Sequence, residues 1–572
     1  MPVALGLEKI TEESPEYLGL ENVVTDEMAE VAVVMGKRVP ITAAEVAKKC
    51  GKPLARTEEL LEELALRGVI EYNRENEDHH KQYVLPMFVP GSAEYMNMNL
   101  DTVTAHPEVA TMFERMSRLP LEKITPMVPP GGAGIGMHVV PVEKAIPSEQ
   151  KSVDLEHLSH WLDKYDGKCA VGACSCRRSR RVRDEGCDHL EEDMCIAVGD
   201  MATYAIETNK ARPVTREEVM EILQRAEDNG FVHQITNIDG KDKILGICNC
   251  CVCSCYALRT SQLFSTPNMS ASAYRAHVDP EKCVACGQCA EVCPAGAAKL
   301  GQKLCTKDGP IVYPKQVLPD EAKWGPEMWN ENYRDDNPSA NCYDTGTAPC
   351  KSNCPAHIAV QGYIRMAAEG RYMDALKLIK KENPFPTVCG GLTLQTAQPD
   401  IFVGGDVATG PKFAIDAIAA GKEAAISLHR YVHEGQSLMI GRNRRSYPEL
   451  DKRNVALPTE CFDAPARQVP AALPGAQARK AFRDPRCTST EEQVKMEASR
   501  CLGCGVSVVD TNRCLGCGVC TTKCEFDAIH LRRDHPEATK MIRSEDKMKA
   551  ILPYIIKRTA KIKVKELRSK HS

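Results

Sequence analysis

Apolar residues recur at helical spacing in TDEMAEVAVVMG, from Thr25, and again through ITAAEVAKKCGKPLARTEELLEELALRGVIEYN, from Ile41. This predicts polar helices over residues 24–75 with a short extended end. Thr42 and Thr57 stand where a hydroxyl would cap a helix N-terminus. Residues 85–150 are rich in Pro, Gly and Met and include VPPGGAGIG, which lacks the G-x-G-x-x-G spacing and reads as a loop or linker. Helical periodicity returns in VTREEVMEILQRAEDNG (214–230). Residues 308–340 read as an irregular connection and 355–382 as packed helices. Residues 395–434 read as strand, loop and helix, and 435–500 as largely irregular.

The chain has 572 residues, enough for about three to five domains. Two helices about a tight turn, then a strand, resemble a winged helix-turn-helix in residues 1–84. As a DNA reader that module would need a cationic face. Residues 21–78 instead hold eight Lys/Arg against thirteen Asp/Glu, which favours a docking or packing role. The net charge of −5 gives no global case for nucleic acid or membrane. The last 32 residues, from Met541, hold ten Lys/Arg against three Asp/Glu and read as a basic tail on a solvated helix end.

Cysteine changes the picture, with 28 residues. The N-terminus shows no basic region followed by an apolar one, and no run of about 18 apolar residues occurs. The expectation is an unexported cytoplasmic chain, in keeping with an anaerobe, whose thiols ligate metal rather than form disulfides. Cys283, Cys286, Cys289 and Cys293, followed by Pro294, form the C-x2-C-x2-C-x3-C-P run of bacterial-type ferredoxins. The cluster that Cys293 serves stays open. Cys514, Cys517, Cys520 and Cys524 repeat the run with Glu525 in place of Pro. Cys501 and Cys504 form half a motif that could complete a second cube with Cys524 or a more distant thiol. A looser block holds Cys169, Cys174, Cys176, Cys187 and Cys195, then Cys248, Cys250, Cys251, Cys253 and Cys255; at least one cluster is expected there. A fourth block holds Cys342, Cys350, Cys354 and Cys389. Cys50 and Cys305 read as small core residues. No acid–base or nucleophilic set stands out, which fits redox work.

APCKSNCPAHIAVQGYIRMAAEGRYMDALKLIKKENPFPTVCG resembles the N-terminal iron–sulfur domain of the glutamate synthase small-subunit family, whose members include FAD-dependent pyridine-nucleotide oxidoreductases. TLQTAQPDIFVGGDVATGPKFAIDAIAAGKEAA resembles the last flavin-contacting segment of the same family. The resemblance implies that Gly404, Gly405, Asp406, Gly410 and Pro411 face a flavin, with Asp406 on a ribityl or ribose hydroxyl. Thr345 stands where the family tends to place another cysteine, and no cysteine follows Cys389 until Cys461. The family's G-x-G-x-x-G and its central FAD/NAD(P)-binding region have no counterpart between the two stretches, as an internal deletion would leave them.

The expected fold class is α+β and multidomain. A winged-helix-like module (1–84) and a linker (85–150) precede a cysteine-rich iron–sulfur region (151–270) and a ferredoxin-type domain (271–310). A helical iron–sulfur domain (340–390), the remnant of a flavoprotein α/β domain (391–435) and an irregular linker (436–490) follow. A second ferredoxin-type domain (491–540) and the basic tail (541–572) end the chain. The expected cofactors are about three to five [4Fe–4S] clusters. The resemblance adds FAD, with NAD(P)H reached through a partner or in complete relatives. The expected partners are a ferredoxin or a flavin- and NAD(P)H-binding subunit, without nucleic acid and without a membrane span. The function read from this is a multi-cluster electron-transfer oxidoreductase. The rival is a non-catalytic electron-carrier subunit or truncated remnant whose partner holds the flavin. A redox-sensing DNA-binding regulator is a third reading, against which four cysteine blocks weigh.

Overall fold

The computed structural model describes residues 11–124, 127–146, 154–187, 189–259, 267–280, 282–300, 303–306, 309–312, 349–352, 358–382, 401–404, 414–433, 466–480, 485, 487–499, 505–510 and 513–569. Helices and sheets are mixed, and no helix among the described residues is long and apolar enough to cross a membrane.

The first elements are α1 (Pro15–Glu21), α2 (Asp26–Val33), α3 (Ala43–Cys50), α4 (Leu54–Leu66) and the antiparallel pair β1 (Glu71–Asn73) and β2 (Gln82–Val84). Thr42 caps α3 in a reciprocal box with Glu45, and Gly51 ends that helix in the left-handed region at φ 70°. Thr57 is not a cap. The helix already starts at Leu54, after Pro53, and the buried Thr57 hydroxyl donates back to the Pro53 carbonyl at 3.0 Å. Leu60, Leu61 and Leu64 are buried on one face of α4, each contributing about 1.5–3 kcal/mol by leaving water.

Residues 85–150 are more than a linker. They hold α5 (Ala93–Met98), α6 (Leu100–Ala105), α7 (Glu108–Ile124) and β3 (Gly136–Val139), whose four residues are all buried. The preceding glycine run lets the chain pass close to residues 268–272: a Cβ on Gly132, at φ 92°, would lie 2.1 Å from the Ser270 carbonyl.

The central sheet is fully antiparallel. After α8 (Leu158–Lys164) come β4 (Cys169–Gly172), α9 (Ser175–Val182), β5 (Cys195–Val198), α10 (Asp200–Glu207), β6 (Arg212–Val214), α11 (Arg216–Asp228), β7 (Val232–Asn237) and β8 (Gly246–Cys250). The strand order is β3-β7-β8-β5-β4-β6. Thr215 caps α11, and Val219, Ile222, Leu223 and Ala226 form its buried stripe at helical spacing. The first helices pack onto α10. Tyr204 donates to the carbonyls of Ala65 (3.1 Å) and Ile70 (2.9 Å), and Lys210 Nζ donates to those of Ala65 (3.0 Å) and Leu66 (2.8 Å) at the end of α4. One core therefore runs from Val31 and Leu61 through to Met201 and Ala205.

The two ferredoxin-like stretches, drawn separately along the sequence, form one body. β9 (Arg275–Val278) pairs with β14 (Ile529–Arg532), and β10 (Ala298–Leu300) pairs with β13 (Ser507–Val509). β11 (Lys303–Thr306) and β12 (Gly309–Val312) make a separate hairpin. The body adjoins the central sheet beside β3, where Val142 N–H donates to the Cys517 carbonyl at 3.0 Å. Helices Val360–Ala368 and Tyr372–Glu382 cover its other side. The basic end is the helix Ser544–Ser569, and its first turns are docked rather than solvated. The buried Lys547 donates to the carbonyls of Gly134 and Asn237, while Arg38 pairs with Asp239 (2.6 Å) and Glu545 (2.8 Å).

Candidate metal centres

The ferredoxin-like body has near-twofold local geometry. Ala285 and Gly516, Gly287 and Gly518, and Gly296 and Asp527 occupy matching places in the two halves. All six have positive φ, between 50° and 89°. These turns fold each loop around its thiols so that backbone N–H groups point inward.

The thiols sort across the halves. Burial pushes the Cys286 thiol up to about 11, and the neighbouring charges acting on it include Cys283 and Cys524. Cys289 is raised by burial too, beside Cys286, Cys283 and Cys524. Burial likewise raises Cys517, to about 12, and Cys520, and both sit beside Cys293 and Cys514. The structure thus brings Cys283, Cys286 and Cys289 together with Cys524, and Cys293 together with Cys514, Cys517 and Cys520. The latter four line one small apolar hollow.

Backbone donors reach the sulfurs. Ser507 N–H donates to Cys283 Sγ and Ala276 N–H to Cys514 Sγ, both at 3.4 Å. Ala297 and Ala298 donate to Cys293 at 3.2 and 3.4 Å, and Ala528 donates to Cys524 at 3.4 Å. Such N–H···S bonds stabilise thiolate over thiol and raise the potential of a bound cluster. Four thiols each, apolar walls and inward N–H groups fit two [4Fe–4S] clusters. Over the first loop, the buried Lys351 donates to the Cys286 carbonyl at 2.7 Å, and Val284 packs against Ala359, Met366 and Leu378.

The block at 169–255 divides in two. Cys174, at the start of α9, and Cys176 face a cavity of about 400 Å³ that Cys195, Cys248, Cys250 and Cys255 also line. Cys195 and Cys248 oppose each other on β5 and β8 with sulfurs 3.8 Å apart. Cys248 and Cys250, on β8, both line this cavity, and Cys251, just past the end of the strand, does not. Gln234 donates to Cys255 Sγ at 3.4 Å. Glu94, on the same cavity wall, is pushed up to about 8 by burial, with Cys255 and Cys174 adding to the rise. Cys187, Cys251 and Cys253 gather elsewhere, with His189. Cys169 joins neither group and packs with Trp161 and Val171. The sequence reading missed His189, Gln234 and Arg177, which donates to Cys251 Sγ at 3.3 Å. For His189 the available signal was its place two residues after Cys187.

Cys350 lies exposed in the short helix Pro349–Ser352, and Cys50 is half-buried at the end of α3. Gly404 is exposed. Cys342, Cys354, Cys389, Cys501, Cys504, Gly405, Asp406, Gly410 and Pro411 lie outside the described residues, as does the side chain of Cys305.

Comparison with known proteins bears on the same stretches. Residues 276–299 and 507–530 each match the 4Fe-4S binding domain family. The chain carries 4Fe–4S binding domains. Residues 329–400 match the family described as dihydropyrimidine dehydrogenase domain II, 4Fe-4S cluster. A stretch of 47 residues is 45% identical to the NADPH-Fe(3+) oxidoreductase subunit beta of Geobacter sulfurreducens, covering 8% of this chain and 7% of that one. A stretch of 159 residues is 30% identical to the NADP(+)-dependent formate dehydrogenase subunit beta of Moorella thermoacetica, covering 27% of this chain and 21% of that one. The chain therefore spans about a fifth or less of the length of these curated relatives. No solved structure matches.

Proposed function

We propose that this chain is an electron-transfer oxidoreductase of the glutamate synthase small-subunit type, working with a flavin- and NAD(P)H-linked reaction. The observation that carries the reading is the crossed thiol arrangement: Cys524 joins the 283–289 loop and Cys293 joins the 514–520 loop. That arrangement suits two clusters held close together in one body, and bound clusters of this kind supply one-electron transfer. The chain's own residues bury the thiols, direct N–H groups at them, and cover the first loop with helices 360–368 and 372–382. Support for the pyridine-nucleotide link comes from the printed names of the relatives, both subunits of NADP(H)-linked oxidoreductases. On this reading residues 1–84 form a winged-helix-like docking module, 340–390 a helical iron–sulfur domain and 391–435 the closing piece of a flavoprotein domain. Cys342, Cys350, Cys354 and Cys389 would serve a further cluster, and the cavity at Cys174, Cys176, Cys250 and Cys255 another.

The rival is an electron-carrier subunit whose partner holds the flavin. It is favoured by the absence of a G-x-G-x-x-G dinucleotide fingerprint from the sequence. Anaerobically purified protein distinguishes the two. Near-stoichiometric FAD released on acid denaturation supports an oxidoreductase in its own right, and brown protein without flavin supports the carrier. The ferredoxin-like body alone should bring about eight irons per chain. Protein that holds only zinc at these eight thiols would sink both readings.

A further inference from the structure

Cys187 and His189 follow α9, and Cys251 and Cys253 follow β8. The two arms come from chain positions 64 residues apart. One ligand atom from each of the four residues lies within 4.8 Å of all the others. Cys187 Sγ is 3.8 Å from Cys251 Sγ, and His189 Nδ1 is 3.2 Å from Cys187 Sγ and 3.4 Å from Cys253 Sγ.

These separations select the occupant. A tetrahedral ion with metal–sulfur bonds of about 2.3 Å and a metal–nitrogen bond of about 2.0–2.1 Å places two sulfurs about 3.8 Å apart and a sulfur and a nitrogen about 3.5 Å apart. A cubane assigns each thiolate to a different iron, and so must hold its thiolates further apart than a single ion does. A disulfide would need the sulfurs at about 2.05 Å. We propose that Cys187, His189, Cys251 and Cys253 bind one zinc(II) ion in a closed structural site, distinct from any iron–sulfur cluster of this chain.

The surroundings suit that ion. Three thiolates and a neutral imidazole around a divalent cation leave one net negative charge. The buried Arg177 guanidinium lies beside it, donating to Cys251 Sγ at 3.3 Å and to the Asn249 carbonyl at 2.9 Å while stacking 4.2 Å over Phe231. Ser254 Oγ is 3.1 Å from Cys187 Sγ, so its hydroxyl can donate to that sulfur as an outer-shell partner. The His189 ring packs on Phe231, 5.5 Å between centroids. Cys253 is exposed and gives the ion an entry path. The one-residue spacing within each arm is tighter than the usual zinc knuckle, and the site closes because the arms meet from two elements. The ion would join the segment after α9 to the turn after β8. Those elements carry Cys174, Cys176, Cys250 and Cys255, so it would set the distance between two walls of the 400 Å³ cavity.

The test uses the full chain purified without oxygen from zinc-replete cells. Metal analysis should give about one zinc per chain, and zinc-edge X-ray absorption should show three sulfur neighbours and one nitrogen. Cys187→Ser and His189→Ala should each drop zinc to near none and leave the electron paramagnetic resonance of the reduced ferredoxin-like body at full intensity. His189→Cys should restore the zinc. Wild-type protein without zinc overturns the proposal, as does loss of iron instead of zinc in Cys187→Ser. If the variants do not fold, the wild-type edge spectrum still decides, because any other shell contradicts the assignment. Failure here would leave the ferredoxin resonance intact, and so would be distinguishable from failure of the electron-transfer reading.

Discussion

The backbone N–H of Ser507 donates to Cys283 Sγ at 3.4 Å across 224 residues, and the N–H of Ala276 donates to Cys514 Sγ at the same distance across 238. Each half thus helps hold the first cysteine of the other. Neither half is complete alone: the fourth thiol of each set and the N–H donor to its first cysteine come from the opposite segment.

Cys524→Ser should therefore remove the cluster of the 283–289 loop and spare that of the 514–520 loop, although Cys524 sits in the second run. Cys293→Ser should do the reverse. Iron per chain and resonance of the reduced protein check this. If Cys524→Ser silenced the cluster of its own loop, the crossed arrangement would be wrong.

Gly516 and Gly167 have similar positive φ, 68° and 70°, in different surroundings. A Cβ on Gly167 meets nothing within 4 Å, whereas one on Gly516 would lie 2.2 Å from the Tyr274 carbonyl. Gly167→Ala should cost about 1 kcal/mol from left-handed strain alone. Gly516→Ala should cost more than about 3 kcal/mol, because backbone must move where the loop meets the strand beside it. Denaturant unfolding of both variants compares them directly.

Lys210 is buried at the end of α4, and burial lowers its pKa to about 7. In the unfolded chain a lysine titrates near 10.4. Between these values the unfolded state binds more protons, so this group's contribution to stability rises with pH from about 7 to about 10.4, by up to about 1.4 kcal/mol per pH unit. Below pH 7 the burial cost is present in full. Lys210→Met should lack this dependence, so the wild type should gain on the variant between pH 7 and pH 9 in urea titrations. A constant difference would refute the shift.

Tyr204 is fully buried and donates to two carbonyls of the N-terminal module. Tyr204→Phe keeps the ring and removes the hydroxyl that the Ile70 and Ala65 carbonyls share, while the Ala65 carbonyl keeps Lys210 Nζ and the Gly68 N–H as donors. It should destabilise the chain by about 1–2 kcal/mol. Limited proteolysis should then cut between α4 and β1 sooner than in the wild type.

Local chemistry was legible in the sequence, and partnership was not. The spacing of Cys283 to Cys293 announces a cluster because the motif is contiguous. The pairing of Cys293 with Cys514, Cys517 and Cys520 exists only once β9 meets β14. Thr42 was readable as a cap from Glu45 three residues on. Thr57 had the right hydroxyl, but Pro53 had already started the helix, so the same residue type turned inward. Residues 136–139 looked like linker because Gly136-Met-His-Val carries too few apolar residues to signal a strand, and the strand forms only against β7 on one side and Ala271 on the other. His189 escaped notice because its partners, Cys251 and Cys253, stand over sixty residues away in sequence.

The strand pairing of β9 with β14 also fixes an order of events during synthesis. Some 235 residues separate Cys289 from Cys524. At about 5–20 residues per second the ribosome needs roughly 12–47 s to make them. For that interval three cysteines of one site stand ready without the fourth, and the half-sheet that carries them has an unpaired edge. Loading of this body with clusters would thus be a late step that waits for residues 524–532. A polypeptide stopped before residue 524 would present the cell with a three-cysteine site and an open strand.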